Sequence, residues 1–231
     1  METIELISLM LGVTWASGIN LYATVFTLGY LSSTGNMELP PGLEMLDDPM
    51  VMGAAGLMYC IEFFADKTPG IDTGWDAIHT FIRIPAGAIM AAGMAQGLDI
   101  GPAAEFAALL LGGGLTATSH VTKASSRLLI NTSPEPVTNW IASITEDLAV
   151  IGGLWTALHY PVVFIVLLIV FTLIVIWALP RIWRALKNLF QRIGSWIRGR
   201  KDDPTPSSIP GQTRRDILKT LYHDARDDTQ K

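Results

Sequence analysis

The chain has 231 residues, of which 50% are hydrophobic and only 16% are charged, and its net charge is −5. Soluble domains carry about 25% charged residues, so this composition excludes an ordinary soluble domain and indicates an integral membrane protein. The one cysteine, Cys60, excludes a disulfide framework and a cysteine-rich zinc site.

Six apolar segments predict an all-α membrane bundle. The clearest is residues 162–179, an uninterrupted apolar run close to the ~20 residues that cross a hydrocarbon core. Five weaker segments precede it, at residues 4–31, 50–64, 75–94, 103–130 and 140–159. Each of the five carries polar residues, which normally face a bundle interior or a water-filled cavity. Amphipathic helices of a soluble bundle are the alternative.

The basic residues of the loops predict the orientation. Lys and Arg are concentrated after the last span, in residues 181–201, which places the C-terminus in the cytoplasm. Six spans then place the N-terminus inside as well, and the acidic first loop faces outward. Glu2 and Glu5 stand where a secretory signal carries positive charge, so the first segment is interpreted as a retained span. The predicted location is a bacterial inner membrane.

Two sequence echoes predict an internal repeat. Gly12-Val-Thr-Trp-Ala-Ser17 returns as Gly114-Leu-Thr-Ala-Thr-Ser119, and residues 47–53 resemble residues 146–152. With three spans in each unit, the second copy is inverted, as in many secondary transporters. We therefore predict two membrane repeats, residues 1–100 and 101–180. They are followed by a basic interfacial amphipathic helix, 181–201, and a flexible cytoplasmic tail, 202–231. The third span is expected to line the interior and the sixth to face lipid.

Two polar stripes are the candidate pathway. On a helix, one face of the fourth span carries Thr116, Ser119, His120, Lys123, Ser126 and Arg127. The first span offers Thr14, Ser17, Asn20 and Thr24 on one face, with Gly12 and Gly18 as places where the helix could break. Hydroxyl and basic groups on one face suit an anion or a phosphate headgroup. Helix packing explains the Ser and Thr residues equally well.

The second and third spans carry candidates for proton coupling or ion pairing. These residues are Glu62, Asp66, Asp76, His79 and Arg83. An ionisable group at membrane depth is a functional candidate by default. A mutual structural ion pair between Glu62 and Arg83 is the alternative.

Enzyme motifs are absent from the sequence: it has no phosphate-binding glycine loop, no HExxH and no GxSxG. We expect no catalytic residue, no cofactor and no metal site, and therefore not an enzyme.

Two further stretches carry a resemblance. They are Ala16-Ser-Gly-Ile-Asn-Leu-Tyr-Ala-Thr24 and Asp66-Lys-Thr-Pro-Gly-Ile-Asp-Thr-Gly-Trp-Asp76. With both in place, the chain resembles a family of bacterial integral membrane proteins known only as a domain of unknown function. The resemblance extends to about residue 180 and implies the membrane class, with no substrate or catalytic residue.

Three functions remain open. The first is a small transporter or channel for a small anion or phosphate-bearing solute, with Glu62, Asp66 or His79 as proton couplers. The second is a flippase or scramblase for anionic lipid headgroups. The third is a scaffold whose basic helix and tail recruit a cytoplasmic partner. Membrane lipids and a small solute or ion are the expected partners, a homodimer is one way to enclose a pathway, and nucleic acid is not expected.

Overall fold

The computed structural model describes residues 3–68, 70–131 and 136–198, together with Lys219. Within these ranges the chain is all-helical. The α-helices are α1 (Thr3–Ile19), α2 (Leu21–Ser33), α3 (Pro49–Ala65), α4 (Ile71–Gln96), α5 (Pro102–Ile130), α6 (Pro136–His159) and α7 (Pro161–Arg198), and a 3₁₀ helix covers Pro41–Asp47. The predicted all-α class is confirmed for this part of the chain.

Local sequence explains where the helices begin. Asp48 accepts hydrogen bonds from the first backbone N–H groups of α3, and proline follows it at the first helical position. Gly70 and Gly101, which precede α4 and α5, have φ values of 86° and 84°. That region of the backbone map suits glycine because it has no Cβ.

In the described part of the chain, three helices are long and apolar enough to cross a membrane: Ile71–Gln96, Val137–His159 and Pro161–Ala178. The helices α1 and α3 are apolar but shorter. In Ile71–Gln96, 44% of the most apolar stretch is buried inside the protein, against 17% for Pro161–Ala178. This difference agrees with the expectation that the third predicted span lines the interior and the sixth faces lipid.

The first predicted span is broken in the middle. The helix stops at Asn20, whose φ and ψ of −146° and 97° are extended, and whose side chain accepts a hydrogen bond from the Ala23 N–H at 2.9 Å. Asparagine is a favoured N-cap because its side-chain oxygen satisfies an unpaired N–H of the first turn. Gly12 and Gly18, the predicted positions of a break, both lie inside α1, so the break was expected at the wrong residues.

The order of contacts shows that α1 and α5 run in the same direction. From one end to the other, the meeting pairs are Thr14 with Thr116, Gly18 with His120, and Ile19 with Lys123. The first two pairs are each 102 positions apart, which is the offset of the first sequence echo. Residues at matching positions therefore meet in the same order.

This direction does not support the inverted-repeat prediction. An inverted copy would place α1 and α5 in opposite directions, because a unit with an odd number of spans reverses its successor. The second echo also falls at unlike places, since Asp48 begins α3 whereas Asp147 lies inside α6. The structure thus does not confirm two inverted three-helix repeats, and it shows the first echo as a helix-packing motif.

The helix α2 turns back alongside α1. It runs opposite to α3, because Phe26 meets Gly56 and Gly29 meets Met52. The helix α3 runs with α5, because Glu62 contacts Lys123 and Asp66 contacts both Lys123 and Arg127. Since α1 also runs with α5, α1 and α2 form a hairpin with Asn20 at its tip.

The remaining helices complete an up-and-down bundle. The helix α4 lies against α5 in the opposite direction, with Asp72 near Asn131 and Gly87 near Thr116. The helix α6 runs opposite to α1, and α7 begins beside Ser8. The first loop and the start of α1 therefore lie at one end of the bundle, and the turn at Lys67 lies at the other.

The chain divides into two units, Met1–Arg184 and Ala185–Lys231. The predicted basic helix begins within α7, which extends to Arg198. The predicted tail, 202–231, lies outside the described residues except for Lys219.

Candidate functional site

The tip of the α1–α2 hairpin ends among buried cations. The Ile19 carbonyl oxygen accepts hydrogen bonds from Arg83 Nη1 and from Lys123 Nζ, each at 3.0 Å. The Gly18 carbonyl oxygen lies 3.3 Å from His120 Nδ1. The C-terminal end of a helix carries partial negative charge, so two cations stabilise the end of α1.

Lys123 is the centre of an ion network. Its ammonium lies 2.8 Å from Asp66 Oδ2 and 3.3 Å from Glu62 Oε1, and its side chain is 2% exposed. Asp76 and Glu146 lie further out, at 3.8 and 3.6 Å. One buried lysine is therefore shared by four carboxylates from α3, α4 and α6 and the turn after α3.

Two arginines extend the network. Arg83 forms an ion pair with Glu62 and lies 3.3 Å from Asp76, and it is fully buried. Arg127 contacts both oxygens of Glu146, at 3.2 and 2.6 Å, and donates to the carbonyls of Asp66 and Asn139. The Glu62–Arg83 pair predicted as an alternative is present, but it belongs to a larger cluster.

His79 lies beside this cluster and faces α2. Its Nε2 is 3.1 Å from the Tyr22 hydroxyl, its Nδ1 is 2.8 Å from the Trp75 carbonyl oxygen, and its ring stacks on Trp75. His120 is 2.7 Å from Thr80 through Nε2. His79 thus connects α4 to α2, and His120 connects α4 to α5, the two helices that carry Arg83 and Lys123.

The predicted hydroxyl groups donate hydrogen bonds to backbone carbonyls within and between helices. Thr116 donates to the Thr14 carbonyl across the α1–α5 contact, and Thr14, Ser17 and Ser119 donate to carbonyls in their own helices. All four are buried. Gly18 lies so close to Thr116 and Ser119 that a Cβ would overlap them. These contacts favour the packing interpretation for the Ser and Thr residues.

All thirteen predicted site residues are buried in one part of the bundle. Sequence reasoning missed two acids in α6 as site residues, Glu146 and Asp147. Glu146 pairs with Arg127, and Asp147 accepts a hydrogen bond from the Asn20 side chain at 3.1 Å. Adjacent acids within an apolar span were the available sign, because ionisable groups at membrane depth are rarely accidental.

A family model described as Domain of unknown function (DUF4126) matches residues 7–181. The chain belongs to this family. The match confirms the resemblance carried by residues 16–24 and 66–76, and it includes all thirteen predicted site residues. No curated protein and no solved structure matches the chain.

The network holds more acid than base. Among the described residues its ion pairs join three cations, Arg83, Lys123 and Arg127, to four carboxylates, Glu62, Asp66, Asp76 and Glu146, and Lys67, Asp72 and Asp147 are buried nearby with neutral partners. One oxygen of Glu62, of Asp66, of Asp76 and of Asp147 has no hydrogen-bond partner among the described atoms. Buried charge needs neutralisation, and the cations of the network are fewer than its carboxylates. The described residues contain no cluster of His, Cys, Asp and Glu arranged to hold a metal ion.

Proposed function

We propose that this protein is a small membrane transporter that moves a small anion or phosphate-bearing solute together with protons. The observation that carries the proposal is the shared ammonium of Lys123, which is buried at the hairpin tip between Asp66 and Glu62. Transporters bind ions where a helix is interrupted within the membrane, because the interruption exposes backbone polar groups.

Coupling follows from competition for the cations. In the structure Lys123, Arg83 and Arg127 are each paired with carboxylates, so these three cations are not free to bind an anion. Protonation of a buried carboxylate removes a negative charge near these cations. A bound anion then replaces the lost negative charge, so the net charge of the cluster is unchanged. Anion and proton therefore bind together under this scheme.

The proposed orientation differs from the one expected from six full spans. Lys67, Arg127 and Arg181 lie towards one end of the bundle, and the acidic loop at residues 34–48 lies at the other. Short cytoplasmic loops are enriched in Lys and Arg. With α1–α2 as a hairpin, we place the N-terminus outside and the end of α7 inside.

The proposal is tested by flux in proteoliposomes. Wild-type protein is compared with Lys123→Gln, and Lys187→Gln serves as the control because Lys187 is exposed. Anions and phosphorylated solutes are offered in turn, and internal pH is followed with a dye. We expect one class of anion to acidify the lumen with wild type and with the control, and at least tenfold slower with Lys123→Gln. Equal rates in all three proteins would overturn the role of Lys123, and no flux of any solute would overturn transport.

Lipid movement is a second candidate, favoured by a groove between α2, α3, α4 and the 3₁₀ helix. The groove has a volume of ≈ 450 Å³ and is lined almost entirely by apolar residues. Tyr22, which lies in its wall, contacts His79 beside the ion network. An acyl chain fits such a groove while a headgroup reaches the polar cluster.

Filling the groove separates the two candidates. Ala55 is 5% exposed in the groove wall, and Leu57 on the same helix is 64% exposed. In a lipid-scrambling assay with fluorescent phospholipids, Ala55→Trp is expected to stop movement and Leu57→Trp to leave it unchanged if lipid is the cargo. Absence of scrambling by folded wild-type protein would eliminate this candidate.

A further inference from the structure

The carboxylate of Asp147 in α6 is a buried ionisable group that has no role in the proposed function so far. It is 7% exposed and lies within Val137–His159, one of the helices long and apolar enough to span a membrane. Its Oδ1 accepts from the Asn20 side chain at 3.1 Å, and its Oδ2 has no hydrogen-bond partner among the described atoms. Asp147 therefore combines membrane depth, burial and an open oxygen.

Asp147 differs from the other buried carboxylates in its partners. Glu62, Asp66, Asp76 and Glu146 each form an ion pair with Arg83, Lys123 or Arg127. Asp72 accepts from the N–H groups of Gly70 and Thr73 and from the Asn131 amide. Within the described part of the chain, no Lys or Arg forms an ion pair with Asp147. Burial without a cation disfavours the charged form of a carboxylate.

The groups that face Asp147 come from every helix packed around it. Asn20 faces it from the hairpin tip, and the Tyr59 hydroxyl faces it from α3. Lys67, Asp66 and Lys123 act on it electrostatically from the turn after α3 and from α5. Lys67 itself donates to the Phe63 carbonyl and to the Ser143 hydroxyl. The surroundings are thus mostly neutral donors with cations at longer range.

We propose that Asp147 is the binding site of the coupled proton, an inference that rests on the proposed transport function. A proton from the aqueous phase forms an O–H bond at Oδ2, giving the neutral acid, and the bond breaks again when the proton is released on the other side. No other reactant is needed.

Asn20 connects this proton to the hairpin. While Asp147 is ionised, the hydrogen bond from Asn20 is charge-assisted, and such bonds are roughly twice as strong as neutral ones. Protonation of Oδ2 therefore weakens the contact between α6 and the residue that separates α1 from α2. The proton site at Asp147 is in direct contact with Asn20, where the helix is interrupted. Binding of a proton to Asp147 therefore weakens the hydrogen bond between α6 and the tip of the hairpin.

Infrared spectroscopy across a pH series tests the inference without any substrate. Wild type, Asp147→Asn and Asp72→Asn are reconstituted in nanodiscs, and the C=O stretch of the protonated carboxyl group is followed. We expect a band that titrates in wild type and in Asp72→Asn and is lost in Asp147→Asn. A band that titrates equally in wild type and Asp147→Asn would overturn the assignment.

Asn20→Ala keeps the test decisive if Asp147→Asn fails to fold. Removing the donor to the ionised form is expected to move the midpoint of the band to higher pH, and an unmoved midpoint would contradict the contact. The spectroscopic result and the flux result are independent. Loss of the band in Asp147→Asn without flux in wild type refutes transport alone, and flux with an unchanged band refutes the proton site alone.

Discussion

At the scale of single residues, the charged side chains of the buried network each contact more than one partner and do not form isolated ion pairs. Lys123 contacts two carboxylates within 3.3 Å and a backbone carbonyl at 3.0 Å. A buried ion pair offsets its desolvation only when further hydrogen bonds satisfy the remaining atoms. Each charge therefore depends on several helices being in place.

Removal of one partner should destabilise the protein more than removal of a matched pair. Arg83→Met leaves Glu62 and Asp76 without a buried cation, so we expect the free energy of unfolding to fall by about 3–5 kcal/mol. The double variant Arg83→Met, Glu62→Met should lose less than the sum of the two single variants. Denaturant unfolding in detergent micelles measures both. Arg181→Gln, at an exposed arginine, should change stability by less than about 0.5 kcal/mol.

Gly18 should tolerate no side chain. A Cβ there would overlap the Ser119 hydroxyl and the Thr116 carbonyl, so Gly18→Ala should separate α1 from α5 and lower thermal stability in detergent. Gly114 offers a matched control in α5, because a Cβ there meets nothing within 4 Å. Gly114→Ala should be neutral or stabilising by about 0.5–1 kcal/mol. Equal melting temperatures for the two variants would contradict the described packing.

At the scale of elements, the hairpin is the feature on which the site depends. The helix α1 has 17 residues and α2 has 13, lengths of about 25 and 20 Å at 1.5 Å per residue. Neither reaches across a membrane alone as readily as α4 or α6. Because α1 and α2 run in opposite directions, the start of α1 and the end of α2 lie at the same end of the bundle. The tip of the hairpin, at Asn20, lies among the charged residues.

Cysteine labelling should show both ends of the hairpin on one side. In a Cys60→Ser background, single cysteines are placed at Thr3, Thr34 and Thr68, which are all exposed. We expect Thr3→Cys and Thr34→Cys to react with a membrane-impermeant reagent added outside cells, and Thr68→Cys to react only after permeabilisation. Opposite labelling of Thr3→Cys and Thr34→Cys would show that α1 and α2 form one span.

Hydropathy predicted the positions of the helices but not the hairpin. Each predicted segment overlaps one or two observed helices, because a segment within a membrane must satisfy its backbone hydrogen bonds internally, as a helix does. Residues 4–31 are long enough for a single crossing of ~20 residues, and apolar content does not distinguish a crossing from a hairpin. Asn20 followed by Leu-Tyr-Ala was the local sign, since asparagine favours helix N-caps.

The residues of the polar site could largely be predicted from the sequence, whereas the ion pairs that they form could not. Spacing by three and four placed Lys123 and Arg127 on one face, and Glu62 and Asp66 on another, because helix geometry is regular. Which carboxylate meets which cation depends on the direction of each helix. The sequence echo suggested opposite directions for α1 and α5, and the contacts show the same direction.

At the scale of the whole molecule, acid and base are separated along the bundle. The loop at residues 34–48 contains Asp47 and Asp48 and has no Lys or Arg, and the opposite end carries Lys67 and Arg181. Among the described helices that are long and apolar enough to cross a membrane, Pro161–Ala178 of α7 is the most apolar and the least buried. The charged residues of the network therefore lie in the interior, and the most apolar helix lies largely outside it.

The most direct test of the account is accumulation of the anion driven by a proton gradient. Proteoliposomes hold equal anion concentrations inside and outside, and an inward proton gradient is imposed with the membrane voltage clamped. The account predicts that wild type accumulates the anion, that the exposed control Glu44→Gln does so equally, and that Asp147→Asn exchanges the anion without accumulating it. Exchange by wild type with no accumulation under the gradient would contradict coupling between the carboxylates and the anion.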